Sequence, residues 1–364
     1  MKYVDEYRRP EKILRLRDAM HQLVSRPWTI MEVCGGQTHS ILHHGIDQLL
    51  PDPVELIHGP GCPVCVTDTS LIDQAIELAL TPGICLCTYG DMMRVPGSIE
   101  SLFSARAKGA RIEIIYSPTD AVTFAQQHPD LNIVFFAVGF ETTAPASAAA
   151  VLMAEALSLD NFYLLASHVR VPPALEALMQ NKDCRVQGFL AAGHVCTVMG
   201  YHEYHQLAQT YHVPIVVTGF EPLDIMEGIY LCLRQLETGK HAVENQYRRC
   251  VREQGNVHAQ EAIHKVFQVV DMPWRGMGVI PASGFSLNRH YVHRDASVLL
   301  QHAPTTSKTN TNDPCLAGQV LQGIIKPPAC PAYGKSCTPE HPLGAPMVSS
   351  EGACAAYYHY YGHL

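Results

Sequence analysis

Four cysteines in the last fifty residues have the residue type and spacing of a metal-ligand set. Cys315, Cys330, Cys337 and Cys354 stand in DPCLAGQ, PPACPAYGKSCTPE and SSEGACAAYYHYYG, with fourteen, six and sixteen residues between successive members. Stretches this rich in Gly, Pro and small side chains carry little periodic apolar surface. Four thiolates closing on one centre would tie their loops together. All-thiolate ligation suits either zinc or an iron–sulfur cluster. Structural zinc usually brings paired CxxC knuckles, so long, uneven, proline-bearing spacing favours a four-iron, four-sulfur cluster.

A second group lies near the start. TIMEV (29–33) reads as a strand, Cys34-Gly35-Gly36 as a turn, and SILHHGIDQLL as a helix. A cysteine between strand and helix sits at a helix N-terminus, where N–H groups and the helix dipole favour its thiolate. The glycines allow another backbone or a ligand to come close. His39 and His43 stand four residues apart and could share one helix face near Cys34. His39 reads as a local hydrogen-bonding partner more readily than as a metal ligand.

The third group is His58-Gly59-Pro60-Gly61-Cys62-Pro63-Val64-Cys65, between the strand VELI and the helix DTSLIDQAIELAL. A CxxC at a strand-to-helix junction suits a thiol–disulfide pair, with Cys62 activated by position and Cys65 close enough to resolve a mixed disulfide. Half of a zinc site would need a second CxxC, and the chain has none. Cys85, Cys87, Cys184, Cys232 and Cys250 read as buried or incidental thiols.

The elements that position these groups alternate in a βα pattern. Short apolar runs end in Gly/Pro/polar turns and lead into helical patterns such as SIESLFSARAKGA, which predicts parallel sheets buried on both faces. Three pairs of segments match in one order: 84–98 with 162–174, 111–122 with 186–198, and 132–145 with 213–225. They predict an internal repeat that places Arg94 and Arg170 at equivalent points. The expected organisation is a helix and strand-turn-helix at 1–52, a first α/β domain at 53–150, a similar second one at 151–250, and a loop-rich iron–sulfur domain at 251–364. The stretch TTSKTNTND (305–313) reads as a linker, and AAYYHYY as a short aromatic helix. Open α/β sheets bind ligands beyond the carboxyl ends of their strands. Gly139-Phe140-Glu141-Thr142-Thr143, Gly193-His194 and Gly219-Phe220-Glu221 should therefore line a cleft between two similar parallel-sheet domains, with Glu141 and Thr142 as binding residues.

Composition excludes several classes. The 364 residues are 47% hydrophobic and 16% charged with a net charge of −8, a globular balance that argues against nucleic-acid and membrane partners. The charged start MKYVDEYRRPEKILRLRDAM lacks a signal peptide's apolar run, and no stretch has transmembrane length, so a cytoplasmic protein is expected. Thirteen cysteines in a reducing compartment point to metal or thiol chemistry. No GxGxxG or P-loop supports a nucleotide site.

VDEYRRP, MEVCGGQTH, HGPGCPVC, GDMMRVPG, VFFAVGFETT, GFEPLD, ENQYRR, WRGMGVI and MVSSEGACAAYY together resemble the HypD family of NiFe-hydrogenase maturation over nearly the whole chain. The resemblance implies a scaffold on which an iron centre carrying cyanide and carbon monoxide ligands is assembled. It implies a HypC-like chaperone sharing that iron, a HypE-like cyanide donor, and the hydrogenase large subunit as an indirect client. It places the iron on Cys34, the redox pair at Cys62 and Cys65, and a four-iron, four-sulfur cluster on Cys315, Cys330, Cys337 and Cys354. Two positions depart from the family pattern. Gln37 stands where relatives commonly have histidine, and Ala317 where they tend to have cysteine, with Cys315 two residues earlier. The expected function is an assembly scaffold with thiol redox activity, not a conventional turnover enzyme. A free-standing iron–sulfur disulfide reductase and a zinc-stapled α/β binding protein are the alternatives.

Overall fold

The computed structural model describes residues 5–300 and 314–362, so the stretch 305–313 lies outside the described residues. Eleven strands follow in chain order: β1 (Trp28–Glu32), β2 (Val54–His58), β3 (Ile84–Thr88), β4 (Ile112–Ile114), β5 (Asn132–Gly139), β6 (Phe162–Val169), β7 (Gly188–Ala192), β8 (Ile215–Thr218), β9 (Val243–Asn245), β10 (Phe267–Trp274) and β11 (Gly278–Leu287). They form two sheets. One is wholly parallel with order β2-β1-β7-β8-β9, and the other has order β10-β11-β6-β5-β3-β4. In the second sheet β11 pairs antiparallel with both β10 and β6, and the other pairings are parallel.

The architecture is α/β with two parallel-dominated sheets, as the βα alternation predicts. The central strands are apolar nearly throughout: ICLCT and GFLAA are wholly buried, and NIVFFAVG is buried after its first residue. Strands covered on both faces need such runs.

Sheet membership cuts across the sequence boundaries at 53–150 and 151–250. β2 pairs with β1, and β7 to β9 extend that same sheet, while β6 pairs with β5. The repeat would put β6 with β7 and β8. Its matched strands β3 and β6 instead flank β5 in one sheet. Strand similarity reflects the shared burial of parallel strands, whereas pairing is decided by packing between distant segments.

The region after residue 250 is also more regular than its sequence suggests. β10 and β11 form a hairpin through Arg275–Met277, with Gly276 at φ +75°, a left-handed conformation that suits glycine. β11 then docks on β6. Buried Arg294 ties the following segment to Glu155 and to the Leu159 and Phe162 carbonyls.

The tail holds little regular structure beyond the helices Ala317–Leu321 and Ala353–Tyr361. Its core joins Leu42 and Val320 to Cys330, Tyr333, Cys337, Met347 and Cys354–Tyr357. Arg94 clamps it to the second sheet, donating to the carbonyls of Pro339 and Val348 at 3.0 Å each. Among the described residues, no helix is long and apolar enough to cross a membrane.

Candidate functional site

Four neighbouring strands of the parallel sheet deliver the site. Cys34 follows β1, the HGPGCPVC loop follows β2, His194 follows β7, and Phe220 follows β8. Their carboxyl ends lie side by side, the place where open parallel sheets gather ligands. Glu141 follows β5 of the other sheet, and Phe140 shares a core with Cys34, Cys62 and Cys65.

Cys34 caps the helix Gly35–His43 and is 2% exposed. Its turn is knitted to the CxxC loop: Gly35 N–H donates to Gly61 O and Gly59 N–H to Glu32 O, both at 2.8 Å. A Cβ on Gly61 would strike the Cys34 backbone, and one on Gly35 would strike Glu351 of the tail. These glycines allow three chain segments to meet at one thiol. The Cys34 Sγ lies 3.5 Å from His194 Nδ1, and Phe220 stacks at an angle beside His194, its ring 5.5 Å away.

The electrostatics differ from those expected of a helix N-terminus. Burial pushes the Cys34 thiol well above its usual range, outweighing the N–H groups of Gln37 and Gly36, with Glu32 adding to the rise. Burial also lowers His194 to about 4. At neutral pH the pair rests as a neutral thiol beside a neutral imidazole. A soft metal binding at Cys34 would have to displace the thiol proton, and the ring nitrogen in contact with that sulfur is His194 Nδ1, which burial keeps unprotonated at neutral pH.

Cys62 and Cys65 form a disulfide with a Cα–Cα distance of 5.2 Å. Both are buried, and Cys65 N–H donates to Cys62 Sγ at 3.3 Å, the first capping bond of the helix Pro63–Val66. Cys65 Sγ lies 4.0 Å from the Ala345 carbonyl of the tail. Pro346 and Met347, the next two residues, line the cavity that the cysteine quartet surrounds.

That cavity brings together Cys315, Cys330, Cys337 and Cys354, with Ala317, Val320 and Tyr333 among its walls. The quartet fits an iron–sulfur cluster in two respects. Its walls are largely apolar, and N–H groups already point at two of the sulfurs, Leu316 at Cys330 (3.5 Å) and Leu343 at Cys337 (3.4 Å), contacts that tune cluster potentials. Burial raises the Cys354 thiol strongly, and the neighbouring Cys315, Cys337 and Cys330 raise it further. Among the described residues, no three His, Cys, Asp or Glu side chains are gathered closely enough to hold one metal ion; the quartet is spread around a space.

The other expected residues fall as follows. His39 Nε2 meets Tyr360 OH at 3.0 Å, and its ring stacks with that of His43 at 5.9 Å. The imidazole at Cys34 is that of His194, not His39. Glu141 is fully buried, accepts from Val171 N–H at 2.9 Å, and is pushed up to about 7 by its burial. Thr142 is half-buried in the turn before the helix Ala144–Ala156. Gln37 is a buried brace, donating to Ala191 O (3.2 Å) and Thr218 Oγ1 (2.5 Å). Cys85, Cys87 and Cys232 are buried, Cys184 is half-buried and Cys250 exposed.

Sequence reasoning missed Glu32 and the Cys34–His194 contact. Glu32 is 1% exposed and accepts from Cys34 N–H at 2.9 Å. The signal was an acid inside the apolar strand TIMEV, directly before the cysteine turn.

Two parallel-dominated sheets whose loops converge on a buried cysteine, a neighbouring CxxC and a thiol-rich tail define a cysteine-centred α/β protein. The HypD family model, described as "Hydrogenase formation hypA family", matches residues 11–361. The chain is 46% identical to the hydrogenase maturation factor HypD of Escherichia coli over 99% of its own length and 98% of the relative's. It is 44% identical to the factor of that name from Rhodobacter capsulatus, over 100% and 99%, and 43% identical to the hydrogenase expression/formation protein HupD of Azotobacter chroococcum, over 99% and 97%. The chain belongs to the HypD family of hydrogenase maturation factors.

Proposed function

We propose that this maturation factor is a scaffold on which the iron centre of NiFe-hydrogenase receives its cyanide and carbon monoxide ligands. The iron is cargo, and Cys34 holds it as a soft anionic ligand. A HypC-like chaperone shares the iron across the cleft, a HypE-like partner donates cyanide, and the hydrogenase large subunit is reached indirectly. Cys34 retains the cargo, His194 packs against its sulfur as a neutral imidazole, and Phe220 and the two glycines shape the approach.

The observation that carries this reading is continuity between the three cysteine groups. The Cys34 turn is bonded to the CxxC loop, and Cys65 abuts Ala345, whose neighbours line the quartet's cavity. Opening the Cys62–Cys65 bond takes two electrons and two protons and yields two thiols; the reductant is a low-potential electron donor. Cys315, Cys330, Cys337 and Cys354 would hold a four-iron, four-sulfur cluster, which supplies single electrons when bound. Glu141 and Thr142 bound the far side of the cleft.

Anaerobic purification tests the reading in one step. Iron and sulfide should each be about four per chain, zinc near zero, and a small chaperone carrying further iron should co-purify. Zinc in place of iron and sulfide would support the stapled binding protein. Iron and sulfide without any chaperone, with turnover of a disulfide substrate, would support the reductase.

A further inference from the structure

A buried chain of hydrogen bonds runs from Cys34 to the tail helix. Glu32 Oε2 accepts from Cys34 N–H (2.9 Å), and Oε1 meets His58 Nδ1 (2.6 Å). The other ring nitrogen of His58, Nε2, meets Tyr357 OH (3.2 Å). The Thr38 hydroxyl also donates to Glu32 Oε1. Glu32 is 1%, His58 4% and Tyr357 6% exposed. With Nδ1 carrying its proton toward Glu32, Nε2 accepts the tyrosine hydroxyl. Tyr357 lies three residues after Cys354 on the helix Ala353–Tyr361, hence on the same face one turn along.

We propose that Glu32, His58 and Tyr357 are positioning residues that set the geometry of Cys34 from the helix carrying Cys354. The inference rests on reading Cys34 as the cargo-holding thiol. A carboxylate so deeply buried keeps its place only while its partners remain. His58 supplies one of them and transfers the constraint across the interface to Tyr357. The Cys34 turn is therefore held through this chain of bonds and not through the helix's other docking contacts. Among the described residues, the Tyr357 hydroxyl is hydrogen-bonded toward Cys34 through His58 and Glu32, and Tyr357→Phe removes that link while keeping the ring's packing.

The experiment compares iodoacetamide alkylation of Cys34 and Cys232 in the full chain, purified anaerobically, by peptide mass spectrometry. Both thiols are buried, but Cys232 belongs to a separate core and reports global opening. Tyr357→Phe should speed Cys34 alkylation about fivefold, the size of one net hydrogen bond, with Cys232 unchanged. His58→Leu should exceed that, and His58→Gln, which can still reach Tyr357, should restore part of the protection. Tyr361→Phe removes a hydroxyl from the same helix that bonds Asp47 instead, and should leave Cys34 unchanged. Equal acceleration of both thiols, or none at Cys34 in Tyr357→Phe, would overturn the inference; if His58→Leu does not fold, Tyr357→Phe still decides. The readout needs no bound iron, so a failure of the scaffold reading appears separately, as absent cargo.

Discussion

The Cys34 centre and the tail quartet are both built from buried thiols, yet they are held in opposite ways. Cys34 is fixed by regular structure: two strand ends, a helix N-terminus and backbone hydrogen bonds to the CxxC loop. The quartet is held by turns, with only Cys354 inside a helix of more than five residues. The first arrangement is built by the fold itself, so a ligand bound at Cys34 could leave without unravelling it. In the second, a metal centre bound by the four cysteines would supply much of the cohesion, because metal-binding free energy is folding free energy where the protein core is small.

The contrast breaks most visibly by removing a quartet ligand. Cys337→Ser should lower iron from about four per chain to below one and open residues 314–362 to proteolysis. The sheets should keep their circular dichroism and the Cys62–Cys65 loop its protection. A tail that stays protease-resistant without metal would erase the distinction between the two regions.

The converse test crowds the preformed site. Gly61→Ala drives a methyl into the Cys34 backbone and should cost about 3 kcal/mol in urea unfolding, while quartet iron and sulfide stay at wild-type levels. Loss of both together would mean that the centres fold as one unit.

Glu141 sharpens the comparison through pH. Its ordinary value is 4.5 and burial raises it to about 7. The native chain therefore holds an extra proton between these values, and stability falls as pH rises through that window. The loss reaches about 3 kcal/mol above pH 7 and is absent below 4.5, where both states are protonated. Glu141→Gln keeps the oxygen that accepts from Val171 and should flatten the slope in pH-dependent unfolding. An unchanged slope would place its origin in another group.

The smallest effect should come from Tyr360→Phe, which removes the hydroxyl bonded to His39. Thermal unfolding should shift by about 1 kcal/mol or less, with cargo retention unchanged. A loss of cargo there would return His39 to the site.

The two regions also differ in how legible they were. Cys34, Cys62 and Cys65 stand at strand-to-helix junctions that can be seen in MEVCGGQTH and HGPGCPVC, because local patterning sets both the element and the turn. The quartet's grouping could be inferred from residue type alone, since loop thiols have few other uses. What could not be read was long-range. Cys34 and His194 are 160 residues apart, and nothing in GHVCTV marks that histidine as the partner. The strand similarity of 84–98 and 162–174 suggested two successive domains, but pairing in the sheets follows packing across the whole chain. The helix N-terminus suggested an ionised Cys34, but the strength of burial depends on Glu351, Phe220 and Gly61 arriving from three other segments.

The central claim is that Cys34 alone among the cysteines holds the cyanide-bearing iron. Infrared spectroscopy of Cys34→Ala, co-expressed with the small chaperone and purified anaerobically, tests it directly. The account expects the cyanide bands to vanish while the cluster's visible absorbance and its iron and sulfide content remain. Cyanide bands that persist in the Cys34→Ala complex would contradict it.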